Sequence, residues 1–254
     1  MSVLPLETKI VYGRLRSRRL GLSLGVNLLP VDQKVCSFDC VYCHYGRTTV
    51  RTLTPSGLNF PAVSQVRCAV ERALRRHPNV RYLTFSGNGE PTLHPFFPEI
   101  VADVVGLRDE IAPGVKVALF SNATTAHRPD IQAALARIDA PILKLDVGDA
   151  KTLARINRPV PDMTLDAIID GLKRVPNLII QSVLIGGAVS NVRGAAFDAW
   201  VAALAEIRPA RVQIYSTDYP VPDAGVERVL PYELDRIATE VRQRTGLKIE
   251  VYYW

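Results

Sequence analysis

Three thiols fall inside one short stretch, Cys36-Ser37-Phe38-Asp39-Cys40-Val41-Tyr42-Cys43. The C-x3-C-x2-C spacing is too crowded and too odd in number for a secreted disulfide scaffold. In a reducing compartment it points to metal or redox chemistry. Thiolates hold iron–sulfur clusters, usually four at a time, so a set of three leaves one iron open to an outside ligand. Other readings compete. Cys40-Val41-Tyr42-Cys43-His44 matches the c-type haem attachment pattern, but that leaves Cys36 without a role and goes with an export signal the sequence does not show. A structural zinc ion needs a fourth ligand, and adjacent Cys43 and His44 do not easily both point at one tetrahedral ion. A buried free thiol suits Cys68, in the helical stretch Val66-Arg67-Cys68-Ala69-Val70, but does not explain three thiols side by side.

A reactive loop of this kind needs rigid elements to carry it. Apolar, β-branched runs bounded by turn residues recur at 22–29, 80–86, 115–121, 141–146, 178–185, 211–216 and 247–252, and they read as strands. Segments 62–76, 96–107, 130–138, 164–174, 195–207 and 231–244 have the spacing of amphipathic helices. Such alternation implies a parallel sheet covered by helices, either an open doubly wound sheet or a barrel. The polar residues favour a barrel. In Leu143-Lys144-Leu145-Asp146 and Arg211-Val212-Gln213-Ile214-Tyr215 polar and apolar side chains alternate, so one face meets helices and the other lines something wet. A small closed barrel fills its interior with branched apolar side chains, whereas a partial, widened one has room for a polar ligand. The cysteine loop follows the first strand, at the end where barrels place active sites. The chain reads as one α/β domain, with a basic N-terminal extension at 1–21, a core barrel at 22–219, and a C-terminal helix and strand in 220–254.

The triad with Tyr42 before its last cysteine resembles the signature of the radical S-adenosylmethionine (SAM) superfamily. Ser17-Arg18-Arg19-Leu20-Gly21, Ser23-Leu24-Gly25, the extended cysteine motif and Ser86-Gly87-Asn88-Gly89-Glu90-Pro91-Thr92 are similar to a narrower group, the iron–sulfur oxidoreductases related to the wyosine-base (tRNA imidazoguanosine) synthases. This resemblance spans 17–219. His44 departs from it, standing where that group commonly has glutamine. The resemblance implies a partial (β/α)6-type TIM barrel, a 4Fe–4S cluster on Cys36, Cys40 and Cys43, and SAM as the other cofactor. It further implies an oxidoreductase or lyase in which an electron from a donor such as flavodoxin or ferredoxin cleaves SAM to a 5′-deoxyadenosyl radical that takes hydrogen from a substrate. Wyosine-base synthases carry a second cluster on further cysteines, and only Cys68 remains here, so the expected substrate is a different one.

SAM presents an ammonium, a carboxylate, a ribose and an adenine. Glu90, at the end of the second predicted strand, is suited to accept from the ammonium, and Gly87 and Gly89 would let backbone approach the ligand without a Cβ. The competing reading is an Asn88-Gly89 hairpin turn. Asn122 and Asp146 end the third and fourth strands and are candidates for the ribose or carboxylate, against a helix-capping role. Gly148-Asp149 offers a better cap than Asp146. Ser182 and Tyr215 are further contacts or, equally, satisfied core hydroxyls. Lys144 shares a strand face with Asp146; pairing with that acid competes with binding an anionic substrate group or forming a Schiff base. Arg18 and Arg19 either clamp a phosphate or carboxylate or lie in solvent.

At 254 residues and 48% hydrophobic content the chain can bury a full core. No apolar run reaches membrane-spanning length and no charged leader precedes an apolar stretch, so a cytoplasmic protein is expected. The net charge of +6 is concentrated early: Lys9, Arg14, Arg16, Arg18, Arg19, Lys34, Arg47 and Arg51 face only Glu7, Asp32 and Asp39 up to residue 51. That excess suits an anionic substrate, a tRNA partner, or simply a solvated surface. A zinc-stabilised nucleic-acid-binding module is the non-enzymatic alternative.

Overall fold

The computed structural model describes residues 3–253. Its elements, in chain order, are β1 (Val11–Ser17), β2 (Gly21–Val26), β3 (Val35–Cys36), β4 (Val50–Arg51), α1 (Val63–Arg76), β5 (Tyr82–Phe85), α2 (Phe97–Ile111), β6 (Lys116–Ser121), α3 (Pro129–Leu135) and β7 (Ala140–Lys144). These are followed by α4 (Ala150–Ile156), α5 (Leu165–Leu172), β8 (Ile179–Val183), β9 (Ile185–Gly187), α6 (Gly194–Ile207), β10 (Arg211–Tyr215), β11 (Val226–Arg228), α7 (Pro231–Thr245) and β12 (Ile249–Val251). The main sheet runs β1-β2-β5-β6-β7-β8-β10-β12, and its two edges do not pair with each other. β2, β5, β6, β7, β8 and β10 are parallel neighbours, as the partial (β/α)6-type barrel requires.

The sheet takes a strand from each outer segment, β1 from within 1–21 and β12 from within 220–254. Within the N-terminal extension, β1 pairs antiparallel with β2, with an irregularity between Tyr12 and Leu15. Its sequence, Val-Tyr-Gly-Arg-Leu-Arg-Ser, is mostly exposed and so lacks the apolar run that marks a central strand. At the other edge β12 pairs parallel with β10. α4 was also not foreseen. It is two turns long, too short to show a helical period, and its N-cap is Asp149, whose Oδ1 accepts from the Thr152 N–H at 2.8 Å.

The sheet's alternation separates two environments. Leu24, Val26, Leu83, Phe85, Val117 and Leu119 face the helices and join the main core. Ala118, Ala140, Ile142 and Ile179 face inward, where with Leu20 they form a small apolar floor. On α1, Val66, Val70 and Leu74 point into the core at a four-residue period. Cys68 is half a turn away and exposed, so it is not the buried thiol its sequence setting suggested. Ser182 likewise faces the helices: its hydroxyl donates to the Leu145 carbonyl and lies 3.2 Å from Nε1 of fully buried Trp200. It is a satisfied core hydroxyl and does not line the barrel interior. Among the described residues no helix is long and apolar enough to cross a membrane.

The βα connection after β7 rests on Gly148. A Cβ there would lie 1.9 Å from the Ala199 carbonyl oxygen of α6 and 2.5 Å from the Trp200 nitrogen. Gly148→Ala should therefore destabilise the protein by about 1–3 kcal/mol through overpacking. Gly114→Ala, where nothing lies within 4 Å, should stay within about 0.5 kcal/mol of the parent. Denaturant unfolding of the two variants measures the difference, and equal midpoints would show that α6 yields without cost.

Candidate functional site

The cysteine loop runs from β3 across the C-terminal ends of the parallel strands, and backbone bonds fix where it lies. Val35 donates to the Asn88 carbonyl and accepts from the Glu90 N–H, each at 3.0 Å, so the loop is zipped to the strand end after β5. This close approach explains Gly89, at φ 139°, because a Cβ there would lie 1.8 Å from the Val35 oxygen. At Gly87, with φ 121°, a Cβ would meet Asn27 Oδ1 at 2.6 Å. Both glycines line the same cavity as the cysteines, but what they make room for is the protein's own backbone and Asn27.

The three sulfurs share one feature. Asn122 Nδ2 donates to Cys36 Sγ at 3.4 Å, Asn157 Nδ2 to Cys40 Sγ at 3.5 Å, and Lys34 Nζ to Cys43 Sγ at 3.0 Å. Each thiol thus meets one side-chain N–H donor. Lys34 is only 3% exposed, and its ammonium also donates to the Gly46 carbonyl at 2.6 Å. Burial alone would lower its pKa, but the charges of Cys43 and Cys36 outweigh burial and hold it up. Burial pushes the Cys36 thiol up to about 12 and the Cys40 thiol up to about 11. Neither Lys34 nor Asn157 was singled out from the sequence.

The predicted strand-end residues divide into those that reach the cavity and those that support it. Glu90 is 1% exposed; its Oε1 accepts from the Thr92 N–H and hydroxyl, and its Oε2 from the Asn122 N–H. Burial raises its pKa despite these donors. Asn122 accepts from the N–H and hydroxyl of Thr124 and turns its amide toward Ser37 and Cys36, beside Ala123, whose left-handed backbone (φ 69°) marks a locally strained turn. Asp146 lies under the cavity, and its oxygens accept from the Tyr42 hydroxyl, Asn157 Nδ2 and the Val183 N–H. Burial and then the Asp146 charge raise the Tyr42 phenol well above its ordinary value. Lys144 Nζ stands 5.2 Å from the Tyr42 ring centroid and 3.7 Å from Asp146 Oδ1. Burial would lower its pKa, yet Asp146 more than offsets this and keeps it high.

Around a cavity of about 160 Å³ the structure brings together Cys36, Cys40, Cys43, Tyr42, Gly87, Gly89, Glu90, Asn122 and Lys144. Lys34, Phe120 and Gln181 join them without having been predicted. Tyr215 donates to Gln181 Oε1 at 3.3 Å and so stands one residue back. His44 packs edge-on against Tyr219, its ring centroid 5.1 Å away, and burial lowers its pKa. Arg18 pairs with Asp218 and the Tyr253 carbonyl, outside this cavity, whereas Arg19 points inward over Tyr215.

The model of the radical SAM superfamily matches residues 31–189, more than half of the chain. The chain belongs to the radical SAM superfamily. The enzymes of this superfamily use a 4Fe–4S cluster and SAM, and these are the cofactors of the present radical SAM protein. Relatives include a protein named GTPase Obg from Brachyspira hyodysenteriae, 30% identical over 66% of this chain, and the UPF0026 protein of Methanocaldococcus jannaschii, 36% identical over 64%. The chain spans only 23% and 48% of their respective lengths. A structure of TYW1 with a lysine–pyruvate adduct bound shares the fold, with a TM-score of 0.64 at 14% identity, covering 89% of this chain and 74% of that one.

The residues present fit such a cluster. Three free thiols with N–H donors at each sulfur suit ligands that must carry negative charge, and a cluster places its thiolates on separate irons. Among the described residues no three His, Cys, Asp or Glu side chains close on a single ion, so the zinc reading finds no support in the geometry. The metal-free chain should therefore keep Cys36 and Cys40 as protonated thiols. Under iodoacetamide at pH 8, exposed Cys68 should alkylate at least tenfold faster than either, as peptide mapping by mass spectrometry over time would show. Equal rates at Cys40 and Cys68 would contradict the burial described here.

Proposed function

We propose that Cys36, Cys40 and Cys43 are the cluster ligands of this radical SAM enzyme and that its substrate lies inside the open barrel. The observation that carries this reading is the one-to-one matching of thiols to donors, Asn122 to Cys36, Asn157 to Cys40 and Lys34 to Cys43. Donors of this kind stabilise anionic sulfur and raise the potential at which a cluster accepts an electron. When bound, the cluster and SAM supply reductive cleavage of the SAM C5′–S bond and a radical able to take hydrogen from carbon.

The chain's own residues hold, orient and exclude water around that chemistry. Glu90 lines the cavity with a buried carboxylate and accepts from the SAM ammonium, whose charge offsets the burial that raises its pKa. Asn122 orients the Cys36 side of the loop and stands beside the ribose or carboxylate. Asp146 acts through others: with all its short bonds made within the protein, it fixes Tyr42, Asn157 and Lys144 in place and does not itself touch SAM. The floor of Ala118, Ala140, Ile142 and Ile179 keeps water from the inner end of the barrel.

The oxidoreductase or lyase assignment, a one-electron donor such as flavodoxin or ferredoxin, and a cytoplasmic setting form part of the same proposal. They are supported by the thiol triad and by the need for a reducing environment to keep it free. A wyosine-base synthase reading is supported by the shared fold of TYW1 and by the basic N-terminal residues. Against it, the fourth cysteine, Cys68, lies exposed on α1, so a second cluster has no cysteine set among the described residues. Iron and sulfide counts after anaerobic reconstitution test the ligand assignment. Cys36→Ala, Cys40→Ala and Cys43→Ala should each lose most of their iron and sulfide, while Cys68→Ala should match the parent. Loss in the Cys68 variant, or full loading in a triad variant, would overturn it.

A further inference from the structure

Inside the open barrel several buried hydrogen-bond donors have no partner among the described residues. Arg19 enters from the β1–β2 turn, and its guanidinium carbon lies 4.4 Å from the Tyr215 ring centroid, 5.8 Å from Tyr252 and 5.9 Å from Phe120. These rings hold the guanidinium in place, yet its Nε and Nη1 are buried without a hydrogen-bond partner. Gln181 accepts from the Tyr215 hydroxyl through Oε1, while its Nε2 is buried and unpartnered. The Lys144 ammonium, in the same cavity as Gln181, has the Asp146 carboxylate at 3.7 Å, beyond hydrogen-bond reach, and that carboxylate is already engaged by Tyr42, Asn157 and Val183. The adjacent Arg18 differs: it is tied to Asp218 and the Tyr253 carbonyl, which anchors the turn and fixes the inward aim of Arg19.

Buried guanidinium nitrogens without an acceptor, with the Lys144 ammonium in the adjoining cavity, are costly unless an acid completes them. An oxyanion is the natural complement, because a guanidinium presents paired donors to a carboxylate or phosphate. The space for it is present. The cysteine-lined cavity, which Lys144 and Gln181 also line, adjoins a second of about 680 Å³ at the Phe120 ring, and the second is lined by Arg19 and by Thr84, whose hydroxyl is also unpartnered.

We propose that the substrate carries a carboxylate or phosphate group, and that Arg19, with Gln181 and Lys144, holds this group inside the barrel. The assignment to a substrate rests on the radical reading of the cysteine triad; the anion site itself rests on the unpartnered donors. SAM's own carboxylate is the other possible source of the oxyanion, and the experiment must separate the two.

Anaerobic holoprotein is titrated calorimetrically with malonate and with inorganic phosphate, with and without saturating SAM. Expected is saturable binding of at least one probe at a single site with SAM present. Arg19→Gln and Gln181→Leu should each weaken it at least tenfold, while Arg19→Lys retains more of it and exposed Arg14→Gln leaves it within twofold. Absence of saturable binding by either probe, or native binding in the Arg19 and Gln181 variants, overturns the proposal. Displacement of the probe by SAM, with a tenfold loss of SAM affinity in Lys144→Gln, also overturns it, because the donors would then serve the cofactor. Should Arg19→Gln fail to fold, as thermal unfolding would reveal, Gln181→Leu and Arg19→Lys carry the test. SAM cleavage measured on the same preparations keeps the two claims apart. Cleavage without anion binding removes only the anion site, whereas anion binding without cleavage removes the radical reading on which its assignment to a substrate rests.

Discussion

With the three cysteines as the proposed cluster ligands, everything at this site depends on keeping sulfurs negatively charged where Cys40 is buried and Cys36 and Cys43 are half-buried. Burial opposes it, pushing the Cys36 and Cys40 thiols up. The opposing force is supplied sulfur by sulfur by an asparagine, an asparagine and a lysine. Lys34 contributes most per contact, because its charge is buried beside Cys43 and its other observed hydrogen bond goes to a neutral carbonyl. On the proposed ligand assignment, the same donors that make the thiolates tolerable also tune how readily a cluster takes up an electron.

The fold brings those donors to the loop from separate elements. Asn122 follows β6 and Asn157 follows α4, while Lys34 precedes β3. Their meeting requires that the strand ends stay in register, which the parallel pairings from β2 to β10 provide. It also requires the close backbone approach at Gly89, where even one added carbon would displace Val35. Because β1 and β12 do not pair, the barrel stays open on one side, and the β1–β2 turn spans that opening through Arg18. An enclosed yet reachable interior is what a reactive intermediate and a separate substrate both need.

The sequence was legible where its signals were local. Cysteine spacing, strand periodicity and the alternation of Lys144 and Asp146 all act over a few residues, and each led to the right element. What it hid was long-range. Asn122 lies 86 positions from Cys36, and Asn157 lies 117 from Cys40, so no spacing rule connects them. Lys34 is only 9 positions from Cys43, but a lysine near cysteines looks like any surface lysine until its burial is known. β1 was missed because an edge strand with one exposed face carries arginines where a central strand carries valines. Cys68 is exposed where its helical setting suggested burial, and Ser182 takes the core alternative of its two readings, because a polar or small residue in a regular element does not itself reveal which face it occupies.

The most direct test of the account is the formation of 5′-deoxyadenosine. Anaerobically reconstituted protein is supplied with SAM and a strong one-electron reductant, and the product is quantified over time by chromatography with mass spectrometry beside Cys40→Ala under identical conditions. The account predicts 5′-deoxyadenosine and methionine accumulating together in the parent protein and at background in the variant. Cluster-loaded parent protein that makes no more 5′-deoxyadenosine than the Cys40 variant would contradict it.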